Sequence, residues 1–424
     1  MQHETVKAKS LLSKPIVADA WFHVNRSMNA YRGCEHGCVY CDGMAEHYHV
    51  DNFTTHIRIK ENAAKVLRRE LKKDGYTSQT ELETETLWRF MDPEDAKRMA
   101  LRVPRKKVIG VCGGVSDGYQ PAEKEHKITR QVLETLLDFR MPVFVLTKSD
   151  LVLRDLDLLK EINESAFANI MFTITLSDEK QRGIFEPKAS STPERFAALK
   201  EIRKAGLPGG VMATPIIPTI GDNLENMTAL AKEAKRAKAE FIQFGGMTLK
   251  PGRQKGYFLR VIKRRFPDKL SEISNIYANN NKYGTPDWKR LPVNVMLRGY
   301  KVCRSVGIRD RSVRNKLKSE PDSNNAVLGV LLDIEFYMRY MLGMPWNKIR
   351  PFHELSARIE RGIEDLVELR REGQLKSRLL ITDRMVSIVE EIMDTGSCRY
   401  IQDLVQKTDS KVAGETVFVA FPDE

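Results

Sequence analysis

The sequence predicts an α/β protein, an open partial barrel of six strand–helix units followed by a helical C-terminal domain. Across residues 26–251, short apolar runs alternate with helical patterns, which is typical of repeated strand–helix units and a parallel sheet. From about residue 252 no strand-like run alternates with the helical segments. Because six units fall short of the eight that close a barrel, we expect an open one.

Five strand candidates are short runs rich in Val, Ile, Phe and Thr. They are VIGVCGG (108–114), PVFVLTKS (142–149), NIMFTITLS (169–177), GGVMATPII (209–217) and FIQFGGM (241–247). Their nearly continuous apolar character is that of strands covered on both faces. A sixth strand is expected around SMNAY (27–31), directly before a group of cysteines.

Three helices are predicted between these strands. Residues 124–139 carry an apolar stripe at helical spacing, residues 193–206 end in Lys-Ala-Gly, and residues 222–239 open with an Asp-Asn cap. Each helical pattern follows a strand candidate, as a right-handed crossover between parallel strands requires.

The chain divides into three predicted parts. Residues 1–25 are an N-terminal extension, residues 26–251 form the partial barrel, and residues 252–424 form the helical C-terminal domain. The stretch 75–106 interrupts the strand–helix alternation and is interpreted as an insertion with some helix, to which we assign no role.

The composition, 42% hydrophobic and 30% charged over 424 residues, is that of a globular protein. No run approaches the ~20 apolar residues that span a bilayer, and the N-terminus lacks the apolar core of a secretory signal. We therefore predict a cytoplasmic protein with no membrane partner. The formal net charge of +12 allows a polyanionic partner such as nucleic acid, although many basic proteins bind none.

The strongest signal is YRGCEHGCVYCDG (31–43), in which Cys34, Cys38 and Cys41 are spaced C-x3-C-x2-C. Thiolates are soft ligands for iron, and a loop with such short gaps can coordinate three irons of a four-iron cluster. The fourth iron is then open to a small chelating molecule. Gly33 and Gly37 suit a loop that needs unusual backbone angles.

A different metal has to be weighed against iron. Cys34, Cys38, Cys41 and His36 could hold one structural zinc ion, which would make the chain a non-catalytic nucleic-acid-binding protein. However, the paired C-x2-C knuckles usual for zinc are missing, so a single tetrahedral ion would strain the loop.

The motif C-x3-C-x-aromatic-C at the start of a run of strand–helix units resembles the radical S-adenosylmethionine (SAM) superfamily. Four segments resemble its spore photoproduct lyase-like branch: YRGCEHGCVYCDG (31–43), DGYQPAEKEHKITRQVLETLL (117–137), LTKSDLVLRDLDLL (146–159) and FEPKASSTPERFAALKEIRKAG (185–206). The resemblance covers about residues 20–260. Asp42, after the last cysteine, departs from the aromatic residue that many relatives carry there.

The resemblance implies a radical SAM barrel with two cofactors, a 4Fe-4S cluster and S-adenosylmethionine. In such enzymes the reduced cluster cleaves SAM, and the 5′-deoxyadenosyl radical takes hydrogen from a substrate, which could be a DNA lesion or a nucleotide. It also implies an external electron donor such as flavodoxin or ferredoxin. The substrate itself is not predicted.

The same resemblance implies several cofactor-binding residues at the carboxyl ends of the strands, where ligands of such sheets lie. These are Tyr40, Gly113, Gly114, Asp117, Lys148 and Ser177. In this interpretation the glycines approach the SAM amino group, Lys148 neutralises its carboxylate and Ser177 binds the ribose. Without a ligand, Asp117 would be a helix cap, Lys148 an exposed salt-bridge residue and Ser177 a turn residue.

Glu186 and Cys112 have two interpretations each. Glu186 could hold SAM or substrate, or could pair with Arg154 or Arg195. Cys112 ends its strand where spore photoproduct lyase carries a hydrogen-donating cysteine, so it is a candidate catalytic residue. Buried strand cysteines are more often small packing residues.

Two basic segments, 250–266 and 297–318, carry interleaved aromatic or apolar residues. Such surfaces can neutralise phosphates, but they can equally be solvated helix faces. Neither segment contains a named nucleic-acid-binding motif.

Overall fold

The computed structural model describes four stretches of the chain, residues 1–84, 105–111, 115–362 and 364–414. Most of the predicted insertion at 75–106 lies outside them, although a helix is present in its described part. Three predicted site residues also lie outside the described residues, namely Cys112, Gly113 and Gly114.

The described residues contain nine strands. These are β1 (Gln2–Val6), β2 (Arg26–Met28), β3 (Tyr31–Arg32), β4 (His56–Lys60), β5 (Ile109–Val111), β6 (Val143–Thr147), β7 (Ala168–Thr173), β8 (Gly209–Ile216) and β9 (Ile242–Gly246). Six of them form one sheet in the order β2-β5-β6-β7-β8-β9, with every neighbouring pair parallel. All six predicted strands are confirmed. Within the described chain β2 and β9 do not pair, so the barrel is open as expected.

Helices cover the outer face of this sheet and form the C-terminal region. They are α1 (Ala63–Lys73), α2 (Gln79–Thr84), α3 (Glu123–His126), α4 (Ile128–Asp138), α5 (Leu156–Ser165), α6 (Glu179–Phe185), α7 (Thr192–Lys204), α8 (Leu224–Arg236), α9 (Arg253–Arg265), α10 (Leu270–Ile276), α11 (Val295–Val306), α12 (Asp322–Phe336), α13 (Trp346–Arg361), α14 (Leu366–Arg371), α15 (Leu375–Leu379), α16 (Asp383–Thr395) and α17 (Arg399–Gly414). Short 3₁₀ turns and one π-helical turn occupy Asp42–Met44, Glu46–Tyr48, Asp150–Asp155, Pro267–Lys269, Trp288–Arg290 and Tyr337–Met341.

The helix starts follow from local side-chain bonds. α7 begins with a capping box, in which the Ser191 hydroxyl accepts from the Glu194 N–H and the Glu194 carboxylate accepts from the Ser191 N–H. At the start of α8 the Asn223 side chain accepts from the Asn226 N–H at 2.8 Å. Both helices were predicted from the sequence.

The helix predicted at 124–139 is divided into α3 and α4. Lys127 has a φ of 51°, a left-handed conformation that ends α3. The Glu123 carboxylate then accepts from the N–H groups of Thr129 (2.9 Å) and Arg130 (3.3 Å) and so satisfies the first turn of α4. The apolar stripe of residues 124–139 could not predict this break, because all of its residues lie within α4.

A second, small sheet has the order β1-β4-β3 and was not predicted. β1 pairs parallel with β4, with Gln2 opposite His56, and β4 pairs antiparallel with β3. The sequence of β1, QHETV, is polar and largely exposed, so it lacks the alternation that marks a strand. β3 runs directly into residues 33–43, which carry Cys34, Cys38 and Cys41 and are called the cysteine loop below. β1 lies beside this loop, because Nε2 of His3 is 3.0 Å from the Glu35 carboxylate.

Apolar side chains fill the barrel interior toward the amino ends of the strands. One buried cluster there joins sheet residues to the N-terminal extension and comprises Val108, Phe144, Met171, Met212, Phe241, Leu317, Trp21, Phe22 and Val24. The rings of Phe22 and Phe144 meet edge to face, with centroids 6.1 Å apart. We call Trp21, Phe22 and Val24 the apolar plug.

The region after residue 252 is helical, as predicted. Most of its helices share one apolar core, whereas Val302 and Cys303 of α11 belong to the core of the sheet, with the Cys303 sulfur 3.5 Å from the Ile242 carbonyl oxygen. The domain boundaries therefore stay a prediction. Among the described helices, none has the length and apolar character needed to cross a membrane.

Candidate functional site

The cysteine loop follows β3 at the carboxyl-end edge of the six-stranded sheet. Cys34 and Cys38 are buried and Cys41 is half-buried. Gly33 precedes the first cysteine at a φ of 92°, and a Cβ there would lie 2.8 Å from the His56 carbonyl oxygen. Gly37 has a φ of 65°. The expectation that both glycines adopt unusual backbone angles is confirmed.

The three thiols form a set of buried sulfur donors. Burial raises the pKa of Cys34 to about 12 and also raises the pKa values of Cys38 and Cys41. Thiolates are the forms that bind metal, so a bound cation would have to displace these protons. The donor set therefore fits a metal centre that supplies several positive charges.

The spacing of the thiols separates iron–sulfur from zinc. Ligands of a single tetrahedral zinc at about 2.3 Å would lie within about 4 Å of one another. Among the described residues, Cys34, Cys38 and Cys41 do not form a group whose ligand atoms all lie within 4.8 Å. A cluster spreads its three thiolates over three irons and needs the wider spacing.

His36 does not complete a zinc set. Its Nε2 lies 3.1 Å from the Asp117 carboxylate and its Nδ1 lies 3.2 Å from the Lys188 carbonyl oxygen. Both ring nitrogens are thus occupied by protein acceptors. His36 is therefore not available as the fourth ligand of a zinc ion.

Asp117 connects the cysteine loop to the end of β6. Its carboxylate accepts from His36, from the Thr147 hydroxyl at 2.9 Å, and from the N–H groups of Lys148 and Tyr119, both at 2.9 Å. Burial disfavours its charge, yet these partners hold the pKa of Asp117 below its ordinary value. The bond to the Tyr119 N–H is a local turn contact and not a helix cap, because the next helix, α3, begins only at Glu123.

Lys148 is half-buried beside the cysteines. Its Nζ lies 5.8 Å from the centre of the Tyr40 ring and makes no hydrogen bond or ion pair with any described residue. Burial disfavours its charge, but Cys38, Glu186 and Asp117 together hold the pKa of Lys148 above its ordinary value. A cation in this position can receive an anionic ligand group.

Glu186 pairs inside the protein. It forms an ion pair with Arg195, whose side chain is fully buried, and accepts from the Tyr40 hydroxyl and from Thr175 at 3.1 Å. Arg195 also donates to the Thr173 carbonyl at 2.6 Å. Arg154, the other expected partner, binds Glu123 instead. Of the two interpretations of Glu186, the structure shows the ion pair.

Ser177 lies four residues beyond the end of β7. Its N–H and hydroxyl bond the Asn226 side-chain oxygen at 2.7 and 3.0 Å. The Asn226 amide donates to the carbonyls of Thr175 and Gly221, so Ser177 belongs to the start of α8.

Gln120, Ser116 and Asp42 secure the loop and were not recognised as site residues. The Gln120 amide donates to the Gly33 carbonyl at 3.2 Å and accepts from the Glu35 N–H at 2.8 Å, while Ser116 donates to the same carbonyl at 2.6 Å. Asp42 pairs with Lys250. Only Asp42 carried a sequence signal, its departure from the aromatic of many relatives.

The two basic segments differ in the structure. Arginines of the segment 297–318 have internal partners, with Arg309 and Arg311 on Asp333 and Arg314 on Glu320. These three arginines are therefore engaged inside the protein, and a phosphate-binding surface on this segment stays a prediction. The end of α9 instead exposes three cations that make no ion pair with a described residue, Lys263, Arg264 and Arg265.

Comparisons with known proteins support the iron–sulfur interpretation of the cysteine loop. A family model described as the radical SAM superfamily matches residues 28–234. The uncharacterized protein Rv2578c of Mycobacterium tuberculosis is 26% identical over 294 residues, covering 68% of this chain and 77% of the relative. The uncharacterized protein MJ0683 of Methanocaldococcus jannaschii is 26% identical over 273 residues, covering 64% and 86%.

Among solved structures, spore photoproduct lyase complexed with dinucleoside spore photoproduct aligns with a TM-score of 0.50 and 16% identity. The alignment covers 72% of this chain and 79% of the lyase chain, and it shows a shared fold. The match to the radical SAM family model and the engaged His36 exclude the zinc-stabilised, non-catalytic alternative. Residues 28–234 therefore form a domain of the radical SAM superfamily, whose enzymes use a 4Fe-4S cluster and S-adenosylmethionine.

Proposed function

We propose that this radical SAM enzyme holds its 4Fe-4S cluster on Cys34, Cys38 and Cys41 and leaves the fourth iron open to SAM. The observation that carries the proposal is one loop with three thiols that are too widely spaced for a single ion. When bound, the two cofactors supply an electron and a 5′-deoxyadenosyl radical that takes hydrogen from the substrate. The electron comes from an external donor, for which we propose flavodoxin or ferredoxin.

Lys148 binds the SAM carboxylate in this proposal. Its ammonium is close to the cysteines, keeps its charge and has no described hydrogen-bond acceptor of its own. Gly113 and Gly114, outside the described residues, are proposed to approach the amino group. Ser177 is proposed for the ribose, since its oxygen can still accept a hydrogen bond while donating to Asn226.

Asp117 and Tyr40 act in this site through their neighbours. The Asp117 carboxylate is saturated by protein donors, so we propose that it orients His36 of the cysteine loop and the backbone of Lys148. Tyr40 keeps its ring against Lys148 and its hydroxyl on Glu186. Both are therefore proposed as positioning residues for the cysteine loop and Lys148.

For the substrate we propose a nucleic-acid lesion or a nucleotide. The unpaired cations at the end of α9 support it, because the buried residue Phe258 of the same helix packs in one cluster with Tyr40 and Cys38. Phosphates bound by those cations would lie near the site. UV-irradiated DNA should raise the rate of 5′-deoxyadenosine formation over mock-irradiated DNA, and the variant Lys263→Glu/Arg264→Glu should lose the increase. An equal rate with both DNAs would reject a DNA lesion.

Cys112 is proposed as the hydrogen donor to the product radical. A Cβ added to Gly110 of β5 would lie 3.1 Å from Val24 of the apolar plug, and the side-chain alternation of a strand predicts the same face for Cys112. Cys112→Ala should keep the cluster and SAM cleavage but change the products formed from the substrate radical. Unchanged products would remove Cys112 from the mechanism.

The cysteine assignment is tested by anaerobic reconstitution. Alanine at any of Cys34, Cys38 or Cys41 should abolish the absorption near ~400 nm and the cleavage of SAM to 5′-deoxyadenosine. Cys398→Ala, at a buried cysteine of the C-terminal core, is the matched control and should keep about four irons. A triple alanine variant that retains four irons contradicts the proposal.

Lys148 has a matched control in Lys188, an exposed lysine beside the same loop. Lys148→Ala should weaken SAM binding by about 10-fold or more, as the loss of a charge-assisted hydrogen bond of roughly 1.5–3 kcal/mol predicts. Iron content should be unchanged, and Lys188→Ala should bind SAM normally. Equal SAM affinity in the two variants would remove Lys148 from the site.

A further inference from the structure

Two histidines and a glutamate from distant parts of the chain meet beside the cysteine loop. His3 lies on β1, and Glu125 and His126 form the end of α3. One ligand atom from each residue lies within 4.8 Å of the other two. The closest approach, from Nδ1 of His3 to Nε2 of His126, is 3.4 Å.

This separation is the one that two ligands of a zinc ion require. With Zn–N bonds of about 2.0–2.1 Å and a tetrahedral angle, two ligand nitrogens lie about 3.3–3.4 Å apart. The contact is also a long hydrogen bond, since N–H···O bonds in proteins measure about 2.7–3.2 Å. The two rings are inclined at 67° with centroids 5.4 Å apart, so their contact is at the edges, where the nitrogens lie.

The opposite nitrogen of His3 is held by a buried carboxylate. Nε2 lies 3.0 Å from Glu35, which is only 6% exposed and also accepts from the Ala122 N–H. A ring that donates from Nε2 carries its lone pair on Nδ1, the nitrogen that faces His126. Carboxylate–histidine–metal is the usual arrangement around metal-binding histidines.

We propose that His3, Glu125 and His126 bind a zinc-type divalent cation, with water as the fourth ligand. The two carboxylates, Glu125 at the ion and Glu35 behind His3, offset its charge. The ion links β1 to α3. Glu35, which binds His3, is the residue after Cys34 and connects the site to the cysteine loop. Nitrogen and oxygen donors separate this site from the sulfur donors of the cysteine loop.

The test uses the full-length protein with its iron–sulfur cluster in place. Zinc sulfate is added in slight excess, unbound metal is removed by gel filtration, and zinc and iron are measured. X-ray absorption at the zinc edge then identifies the ligands. We expect one zinc per chain in a shell of nitrogen and oxygen with imidazole scattering. In hydrogen exchange, zinc should slow the backbone amides of β1.

His3→Gln and His126→Gln should lower zinc affinity at least 10-fold and Glu35→Gln about 10–100-fold, as loss of a ligand's supporting carboxylate does. His47→Gln changes an exposed histidine outside the site and should bind zinc normally. Unchanged iron content and SAM cleavage in the three histidine variants show that they fold. Sulfur in the zinc shell, no retained zinc, or equal affinity in His126→Gln and His47→Gln would overturn the proposal.

Discussion

The two ends of the same six-stranded sheet are built from opposite chemistry. At the carboxyl ends, Glu186 is paired with the fully buried Arg195, and Asp117 is bonded to His36. At the amino ends the interior is filled by the apolar plug and the side chains around Phe144. The end that is proposed to receive a charged cofactor thus buries its charges in pairs, while the other end buries apolar surface.

This difference predicts how each end contributes to stability. Buried ion pairs lose much of their attraction to desolvation, so intact they stabilise the fold little, but a broken pair is strongly destabilising. Apolar burial contributes about 25 cal/mol per Å² wherever it occurs. Changes at the carboxyl ends should therefore affect stability and chemistry together, and changes at the amino ends should affect stability alone.

The largest effect is expected at Arg195. Arg195→Met leaves the Glu186 carboxylate buried without its ion-pair partner and should lower the free energy of unfolding by about 3–5 kcal/mol. Denaturant titration of the metal-free protein measures this. The double variant Arg195→Met/Glu186→Gln removes both charges and should regain most of the loss. A loss below about 1 kcal/mol in the single variant would show that Lys148 replaces Arg195 as the counter-charge.

The plug provides the contrasting case. Phe22 is half-buried and stacks edge to face on Phe144, so Phe22→Ala should cost about 2–3 kcal/mol, less than a fully buried ring. Iron content and SAM cleavage should stay at wild-type levels, and Phe22→Leu should cost less. A tenfold loss of SAM cleavage with unchanged stability would contradict the separation of the two ends.

The cysteine loop itself contains a smaller, paired test. Gly33→Ala would place a Cβ 2.8–2.9 Å from the carbonyl oxygens of His56 and Phe53, and the Phe53 oxygen also accepts the Cys34 N–H. We expect a cost of about 2 kcal/mol and reduced iron content, because Cys34 must move. Gly37→Ala would place a Cβ 3.5 Å from Pro187 and 3.7 Å from the Glu35 carbonyl oxygen, which are ordinary contacts, and should cost about 1 kcal/mol with normal iron content. Equal iron content in both variants would show that the loop tolerates the shift.

The sequence predicted the parts of this molecule that depend on local patterns. Strands buried on both faces, such as β7, are continuous apolar runs, and the C-x3-C-x2-C loop carries its ligands within eight residues. Both features could therefore be predicted from the sequence alone. Their positions in space follow from the strict parallel order of strand–helix units.

Partners distant in sequence could not be predicted in the same way. Glu186 had two candidate arginines, and only the packing of α7 decides for Arg195. β1 is polar, so no alternation of apolar residues predicts it as a strand. His3 meets His126 across 123 residues, and no local sequence pattern predicts that contact. Counting charges also could not show which arginines of residues 297–318 are engaged, because ion pairs such as Arg311 with Asp333 are made on folding.

His23, next to the plug, gives the last prediction. Burial lowers the pKa of His23 to about 4, while the unfolded chain has the ordinary value near 6.5. Below pH 6.5 the unfolded state thus binds a proton that the folded state excludes. The contribution of the neutral ring is fully present above pH 6.5 and is lost as the pH falls toward 4, by about 1.4 kcal/mol per pH unit.

His23→Asn removes this titration and keeps a residue that tolerates the φ of 56° at this position. Every other group titrates in both proteins, so the difference between their unfolding free energies isolates the histidine. From pH 6.5 to 5.5 that difference should change by about 1 kcal/mol in favour of the variant, measured by denaturant titration. The carboxyl-end groups should not contribute to it, because they are the same in both proteins. Parallel pH profiles would mean that His23 takes up its proton in the folded state, and that the amino end of the barrel admits charge as the other end does.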